Sequence, residues 1–245
     1  MSESDPISAA NEAPAPPKKA ALWEDFIDIF YAPSDVFARR ANSGFGIPML
    51  VVVVLIGLIF YASRGLMQPI MDAEFTRSMA KQSAKMTPEQ LQMARSMNEK
   101  FAIIGIAVVM PILLFLLGLT TWVVGKFFDA KETLGAALMI ACYAYFPKVV
   151  ESVINAVQLL VLDPSSMNGR FRLSLGLGRF VDPDTASPVL LAALGRLDVF
   201  TIWVTILIGI GLSVTGKIPR SKAMIAAVVI WFVGALPTML GALRQ

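Results

Sequence analysis

The segment IPMLVVVVLIGLIFYAS, residues 47–63, contains no charged side chain. A helix that crosses a bilayer needs about 20 consecutive, mainly apolar residues, and this run is close to that length. A second uncharged run covers residues 101–124. Further apolar stretches lie at about residues 133–162, 197–215 and 222–243, and short turns make neighbouring helices antiparallel. We therefore predict an all-α integral membrane protein, built as a bundle of five transmembrane helices.

The composition agrees with a membrane protein and excludes several kinds of catalytic and metal site. Of the 245 residues, 56% are hydrophobic and 16% are charged, whereas a soluble domain has roughly 25% charged residues. The chain has no histidine and one cysteine, Cys142. Histidine-based triads, histidine or paired-cysteine metal sites and a disulfide within the chain are therefore excluded. The net charge is only +3, and no basic run resembles a nucleic-acid patch. We expect no cofactor, no metal and no nucleic acid.

The N-terminal part of the chain divides into a polar tail and an amphipathic segment. Residues 1–21 are rich in Ala, Pro and Ser, which predicts a disordered tail without a cleavable signal peptide. Residues 22–243 are expected to form one membrane domain. In residues 22–40 aromatic residues recur at helical spacing, which predicts an interfacial amphipathic helix. Pro33 interrupts it, and Ser34 is expected to cap a second short helix. The segment either packs on its own bundle or binds a partner.

The connections between the spans carry signals for helix ends and for orientation. Thr87-Pro88-Glu89-Gln90 is typical of a helix start, and this helix is expected to run into the second span. Residues 171–175 alternate in polarity and form either a short hairpin or an irregular loop. Basic residues in and beside two tight turns favour a cytoplasmic N-terminus by the positive-inside rule: Lys126, Lys131, Lys217, Arg220 and Lys222.

The third span carries one polar stripe on an otherwise apolar helix. At 100° per residue the members of the stripe share a face about 120° wide: Lys148, Glu151, Ser152, Asn155 and Gln158. A charge at the bilayer centre costs about 2.5–3.5 kcal/mol, although Lys148 and Glu151 partly compensate each other at i, i+3. The stripe must therefore face protein or water rather than lipid.

Pro147 directly precedes this stripe and predicts a helix break, because proline lacks the N–H that would bond to the carbonyl of Tyr143. Broken helices beside ionisable groups form midplane sites in many transporters, so one interpretation is a role in contacting a ligand or an ion. In the other interpretation the break bends an over-long helix toward the interface. Tyr143, Tyr145 and Phe146 would then form an aromatic belt.

The fourth span has a strip of small and polar residues of the kind at which membrane helices approach closely: Asp198, Thr201, Thr205, Gly209 and Ser213. Asp198 is also expected to cap the helix start and to lie near Arg196. The segment GLSVTGKI that follows resembles a P-loop, but Ile218 replaces the magnesium-binding hydroxyl and the segment ends a helix. We interpret Gly216 as a helix C-cap and Lys217 as a charge favoured at that end.

Several segments occur in a recognisable order: Phe30-x-x-Pro33-x-x-x-Phe37, Tyr143-Ala-Tyr145-Phe146-Pro147, Leu197-Asp198-Val199-Phe200-Thr201-Ile202-Trp203, Gly209-Ile210-Gly211-Leu212 and Lys222-Ala223. Their order and spacing resemble the Yip-domain family of Ypt/Rab-interacting proteins, in its bacterial branch. The resemblance implies a five-pass protein with a cytoplasmic N-terminus. Its eukaryotic relatives lie in endoplasmic reticulum and Golgi membranes and associate with prenylated small GTPases and with one another. The Asp-Leu-Tyr-Gly-Pro signature of those relatives is reduced here to Tyr31-Ala-Pro33, which argues against GTPase binding.

These features favour a non-enzymatic protein that associates with protein partners, with itself or with lipid in membrane organisation. The expected location is a bacterial inner membrane. The alternative is a small permease, or an ion or lipid pathway, with a polar cavity lined by the third span. A membrane enzyme is disfavoured because no nucleophile lies next to an identifiable base.

Overall fold

The computed structural model describes residues 21–83, 86–163 and 166–243. The predicted disordered tail, residues 1–21, lies outside the described residues except for Ala21. Within the described ranges the chain forms ten α-helices: α1 (Leu22–Tyr31), α2 (Pro33–Arg40), α3 (Gly46–Ser63), α4 (Gln68–Ser83), α5 (Pro88–Phe127), α6 (Leu134–Ala144), α7 (Phe146–Val161), α8 (Pro188–Leu194), α9 (Val199–Gly216) and α10 (Arg220–Ala242).

Five helical segments of the described chain are long and apolar enough to cross a membrane: Gly46–Ser63, Ile104–Phe127, Leu134–Val161, Val199–Gly216 and Arg220–Ala242. The third of them consists of α6 and α7 together. This arrangement confirms the all-α bundle of five transmembrane helices.

Helix α5 begins well before its apolar span. Thr87 forms a capping box with Gln90: the Gln90 amide donates to Thr87 Oγ1 at 3.3 Å, and the Thr87 amide donates to Gln90 Oε1 at 3.0 Å. The first orphan amides of the helix are satisfied in this way. The predicted helix start is confirmed, and the helix runs on for 40 residues into the second span.

Helix α6 lies at the centre of the bundle, and its residues from Ala136 to Ala144 are buried. Two glycines allow neighbouring helices to approach it closely. A Cβ added at Gly118 of α5 would lie 2.8 Å from the Cα of Leu138. A Cβ added at Gly211 of α9 would lie 2.6 Å from Cγ2 of Ile140. Because lipid tails are as apolar as the side chains, such close packing is the main attraction between membrane helices.

Helices α1 and α2 pack on the bundle, where Ile29, Val36 and Phe37 are fully buried in its core. The two helices are also tied to each other, because the fully buried carboxylate of Asp25 pairs with Arg39 at 2.7 Å and with Arg40 at 2.5 Å. Helix α2 begins at Pro33, with Ala32 as its N-cap, so the predicted cap by Ser34 is wrong. Pro33 takes the first helical position, where its missing N–H costs nothing.

The Arg39 side chain also pairs with Asp28 at 2.7 Å, so that two carboxylates of α1 share one guanidinium. Burial alone would lower the pKa of Arg39, but hydrogen bonds and charge from Asp25 and Asp28 raise it overall. The guanidinium of Arg39 therefore stays charged at any physiological pH.

The two short turns of the bundle lie together at one end. The Lys131 amide, in the α5–α6 turn, donates to the carbonyl of Gly216 at 2.9 Å. Lys222, at the start of α10, pairs with Asp129 at 3.3 Å. The predicted C-cap at Gly216 is wrong, because α9 ends at Gly216 and the left-handed residue is Lys217, with φ 54°. Gly216 instead provides space, since a Cβ there would lie 2.9 Å from that of Ala130.

The opposite end carries the long connections. The connection from α7 to α9 contains α8 and, between residues 167 and 198, two 3₁₀ turns, Arg170–Leu173 and Leu177–Phe180, so residues 171–175 are irregular rather than a hairpin. Helix α4 is tied to this connection through Arg77, which pairs with Asp184 at 3.1 Å and donates to the carbonyl of Asn168. The connection also contacts α7 through the first 3₁₀ turn and α10 through α8.

Candidate functional site

The candidate site begins where the third span breaks. Helix α6 ends at Ala144, Tyr145 separates the helices, and α7 starts at Phe146 with Pro147 in its first turn. The Lys148 amide then donates to the carbonyl of Tyr145 at 2.9 Å. Because proline has no N–H to donate, this is a position at which a helix breaks at little cost. Lys148 therefore lies in the first turn of α7, where its side chain contacts Thr201 of α9.

The ammonium group of Lys148 joins side chains from two helices. Its Nζ lies 2.7 Å from Glu151 Oε2, on the same helix, and 3.3 Å from Asp198 Oδ1 of α9. It also donates to the hydroxyl of Thr201 at 2.9 Å. We call these four residues the ionic cluster. The Lys148 and Glu151 side chains are 19% and 17% exposed, and that of Asp198 is 4% exposed.

Asp198 has two roles in this cluster. Its Oδ1 accepts from the amides of Phe200 at 3.0 Å and Thr201 at 2.9 Å, which makes it the N-cap of α9. The same oxygen faces Lys148. A carboxylate is favoured at a helix N-terminus by the backbone amides and the helix dipole, so the site stabilises this charge from two directions.

The loop between α7 and α9 closes over Asp198. Gly176 and Asp198 form an isolated antiparallel bridge, and the Leu177 amide donates to the Leu197 carbonyl at 3.2 Å. A Cβ on Gly176 would lie 2.7 Å from that of Asp198, so the close approach of the loop depends on a glycine at this position.

Arg196 lies beside the cluster but bonds elsewhere. Its guanidinium donates to the carbonyl of Trp231 at 3.0 Å and lies over the Trp231 ring at 5.6 Å. Burial lowers the pKa of Arg196, and the charge of Asp198 opposes that decrease. Arg196 is therefore near enough to Asp198, as predicted, for their charges to interact. Its hydrogen bond goes to Trp231 of α10 instead.

The remaining stripe residues leave the ionic cluster. Ser152 Oγ donates to the carbonyl of Lys148 at 2.8 Å. Gln158 Nε2 donates to the carbonyl of Leu173 at 2.9 Å and lies 3.4 Å from Asn155 Oδ1. Ser152 and Asn155 also line a mostly apolar cavity of about 120 Å³ between α3, α5 and α7. The structure therefore divides the stripe into an ionic half that meets α9 and an amide half that meets the cavity and the long loop.

A family model for the Yip1 domain matches residues 27–241 of the chain, which include the second half of α1, all of α2 to α9 and all but the last residue of α10. The chain belongs to the Yip1 domain family. No curated protein and no solved structure matches it. The match extends over both halves of the stripe, so the ionic cluster and the cavity are parts of the Yip1 domain.

In this Yip1 domain the aromatic residues at the helix break are covered by protein. Tyr143 is 1% exposed and Phe146 is 4% exposed. Phe26 of α1 stacks on Phe146 with ring centroids 4.9 Å apart. The predicted aromatic belt is therefore wrong for these two residues, because α1 folds over them. Phe30 makes an edge contact with Trp203 in α9 at 5.4 Å, so α1 bridges the third and fourth spans.

The small-residue strip of α9 serves several neighbours instead of one. Thr201 meets Lys148 of α7, whereas Gly209 faces α10, where its added Cβ would lie 3.4 Å from that of Ala227. Thr205 Oγ1 donates to the carbonyl of Thr201 at 2.8 Å, and Ser213 Oγ donates to that of Ile218 at 3.0 Å. The strip therefore consists of separate contacts, two of which satisfy backbone carbonyls.

Among the described residues, two buried acidic side chains lie outside the residues that the sequence pattern singled out. One is Asp25 with its two arginines, and the other is Glu132, which is 3% exposed in the α5–α6 turn. In sequence both appear as ordinary acids of amphipathic or turn segments. In the described ranges no group of three histidine, cysteine or acidic side chains is placed to hold a metal ion.

Proposed function

We propose that this Yip1-domain protein acts by association, with protein partners, with itself or with lipid, and not by catalysis. The observation that carries the proposal is that the charged groups inside the bundle bind one another. Lys148 is bound by Glu151, Asp198 and Thr201, which lie on two different helices. A charge held by three partners between helices serves cohesion of the bundle, because a free substrate would have to displace them.

The surface that remains for association is apolar and helical. Large side chains that are at least one third exposed follow the outer faces of three helices: Leu50, Val54 and Leu58 on α3; Val108, Ile112 and Leu116 on α5; Ile225, Val228, Phe232, Leu236 and Leu240 on α10. In a membrane such faces contact lipid or another transmembrane helix.

Photo-crosslinking from native membranes tests the association. A photoreactive residue at Phe232, which is 60% exposed, is compared with one at Ile230, which is 2% exposed on the same helix. We expect a product of defined mass from position 232 that position 230 does not give. Twice the mass of the chain would identify self-association, and another discrete mass would identify a protein partner. Absence of any discrete product from several exposed positions on α3, α5 and α10 would contradict association with protein.

The cavity lined by Ser152 and Asn155 supports a second candidate function, a small pathway for ions or lipid. Its volume of about 120 Å³ is well above the roughly 10–15 Å³ that a cavity needs to hold a water molecule. Reconstitution in liposomes separates the two functions. Flux of an ion or a labelled lipid that is lost in an Asn155→Leu variant would favour the pathway. If the folded protein in liposomes transports neither the ion nor the labelled lipid, association is favoured.

The proposed location is a bacterial inner membrane, with the two short turns in the cytoplasm. Five basic residues at the joined turns support this orientation, because positive charge in short loops is retained on the cytoplasmic side. Cys142, which is buried, gives a low background for cysteine labelling. We expect an impermeant maleimide to label Phe180→Cys in intact cells and Arg220→Cys only after permeabilisation. The reverse pattern would invert the topology.

A further inference from the structure

Glu132 occupies an unusual position at the junction of the two short turns. It follows Lys131, whose amide holds the turns together through the Gly216 carbonyl at 2.9 Å. Its side chain folds inward and is 3% exposed. Its carboxyl group lies between Gly125, near the end of α5, and Gly216, the last residue of α9.

The junction has room for this carboxyl group because both neighbours are glycines. A Cβ added at Gly216 would lie 2.8 Å from Glu132 Oε2, and one added at Gly125 would collide with Oε1. Leu212 closes the same space from α9, 3.3 Å from the added Cβ position of Gly125. The chain therefore forms a small enclosed site that the carboxyl group of Glu132 fills.

Both carboxyl oxygens of Glu132 are fully buried and have no hydrogen-bond partner among the described residues. The charge of Lys126 acts on this carboxyl group, but the Lys126 ammonium group donates to the backbone carbonyls of Ala130 at 2.9 Å and Glu132 at 2.6 Å. Burial raises the pKa of Glu132, and its own amide and the charge of Lys126 only oppose that rise. An ionised carboxylate is costly in such surroundings, and neutralisation by a proton removes that cost.

The other charged groups near the junction are directed outward. Lys131 and Lys217 are exposed, and Asp129 forms an exposed pair with Lys222. Helix α9 contributes Gly216 and Leu212 to the site, neither of which is charged. The field at the carboxyl group thus comes from Lys126, whose ammonium group already uses two of its three N–H donors on backbone carbonyls.

From this geometry we propose that Glu132 is a proton-binding site that controls the junction of the two turns. With the proton bound, the neutral carboxyl group fills the space between the glycines and the turns stay closed. When the proton leaves, the anion either moves out of the junction or draws Lys126 from the two carbonyls. Both movements break contacts that close the turns, so the bundle end opens as the pH rises.

The direction of the pH effect follows from linkage. The folded carboxyl group holds its proton to a higher pH than a free glutamate, whose pKa is about 4.3. The closed junction is therefore most stable at low pH and loses stability as the pH rises from that ordinary value through the raised value of the folded state. Within this window the equilibrium constant for opening increases by up to about tenfold per pH unit.

Amide hydrogen exchange at Lys131, in the full-length protein in detergent or nanodiscs, tests the proposal. After correction for intrinsic exchange, we expect protection of this amide to fall with rising pH in the natural sequence. In Glu132→Gln and Glu132→Leu, which are neutral at every pH, protection should be independent of pH. Asp129→Asn is the matched control, since it removes an exposed carboxylate of the same turn and should keep the full pH dependence.

Three results would overturn the proposal. The first is a pH-independent protection of Lys131 in the natural sequence, which decides the question even if neither Glu132 variant folds. The second is an equal pH dependence in the natural sequence and in Glu132→Gln, because the titrating group would then lie elsewhere. The third is a Glu132→Gln variant that is less stable than the natural sequence at every pH, where high salt lowers the stability of the natural sequence by the same amount. Glu132 would then be ionised and paired with Lys126.

Discussion

The ammonium group of Lys148 lies 3.3 Å from the carboxylate of Asp198, a residue 50 positions further along the chain. This contact joins the first turn of α7 to the N-cap of α9, so it couples the break in the third span to the start of the fourth. Because the Asp198 carboxylate also caps α9, one oxygen atom determines both the beginning of a helix and its attachment to a neighbour.

Lys148→Met should destabilise the protein by about 2–3 kcal/mol, somewhat less than the 3–5 kcal/mol typical of fully buried pairs because the side chain is partly exposed. The loss leaves the Glu151 carboxylate without its partner. The double variant Lys148→Met/Glu151→Leu should recover most of the stability, since Asp198 keeps its cap interactions. Reversible unfolding in micelles measures both changes. Equal stability of the single and double variants would show that the charges do not depend on each other.

Asp198→Ala should destabilise α9 more than Asp198→Asn. Asparagine keeps an oxygen for the amides of Phe200 and Thr201, whereas alanine removes the cap, at a cost of about 1 kcal/mol. Hydrogen exchange at these two amides should accelerate in Asp198→Ala and change little in Asp198→Asn. If both variants exchange alike, the charge facing Lys148 matters more than the cap.

The sequence was sufficient for the five spans because uninterrupted apolar runs of this length have few other stable structures. It also located the capping box at Thr87 and the polar stripe, since both depend on local spacing. The pairing of Lys148 with Glu151 also follows from local spacing. Its second partner, Asp198, was not predicted, because Asp198 lies on another helix and its approach depends on the break at Tyr145. The predicted C-cap at Gly216 was wrong for a similar reason: the glycine is required by the neighbouring Ala130, which no local pattern reveals.

The burial of the aromatic residues at the helix break was also beyond what local sequence patterns predict. Tyr143 and Phe146 have the composition of an interfacial belt, but α1 covers them through Phe26. An amphipathic helix has the same pattern whether it lies on lipid or on its own bundle. Only the tertiary arrangement distinguishes the two, and it also determines that Asp25 is buried.

Asp25→Asn should loosen α1 from α2, because the amide cannot neutralise Arg39 and Arg40 as the buried carboxylate does. We expect faster tryptic cleavage after these arginines in the folded protein. Asp35→Asn, in the exposed first turn of α2, is the control and should leave the cleavage rate unchanged. Identical cleavage rates for the two variants would show that packing of Ile29, Val36 and Phe37 alone retains the helices.

Gly211→Ala should be destabilising by about 1–3 kcal/mol, because the added methyl group would lie 2.6 Å from Cγ2 of Ile140 in the centre of the bundle. Helices α6 and α9 must then move apart or Ile140 must change its rotamer.

Gly105→Ala is the matched control, since among the described residues its added methyl group has nothing within 4 Å. There the better helix propensity of alanine should stabilise by about 0.5–1 kcal/mol. Shortening Ile140 to alanine in the Gly211→Ala background should restore part of the lost stability, which thermal unfolding of the four proteins measures. A Gly211→Ala variant as stable as Gly105→Ala would show that α9 is free to shift away from α6, and close packing at Ile140 would then not be what holds these two helices together.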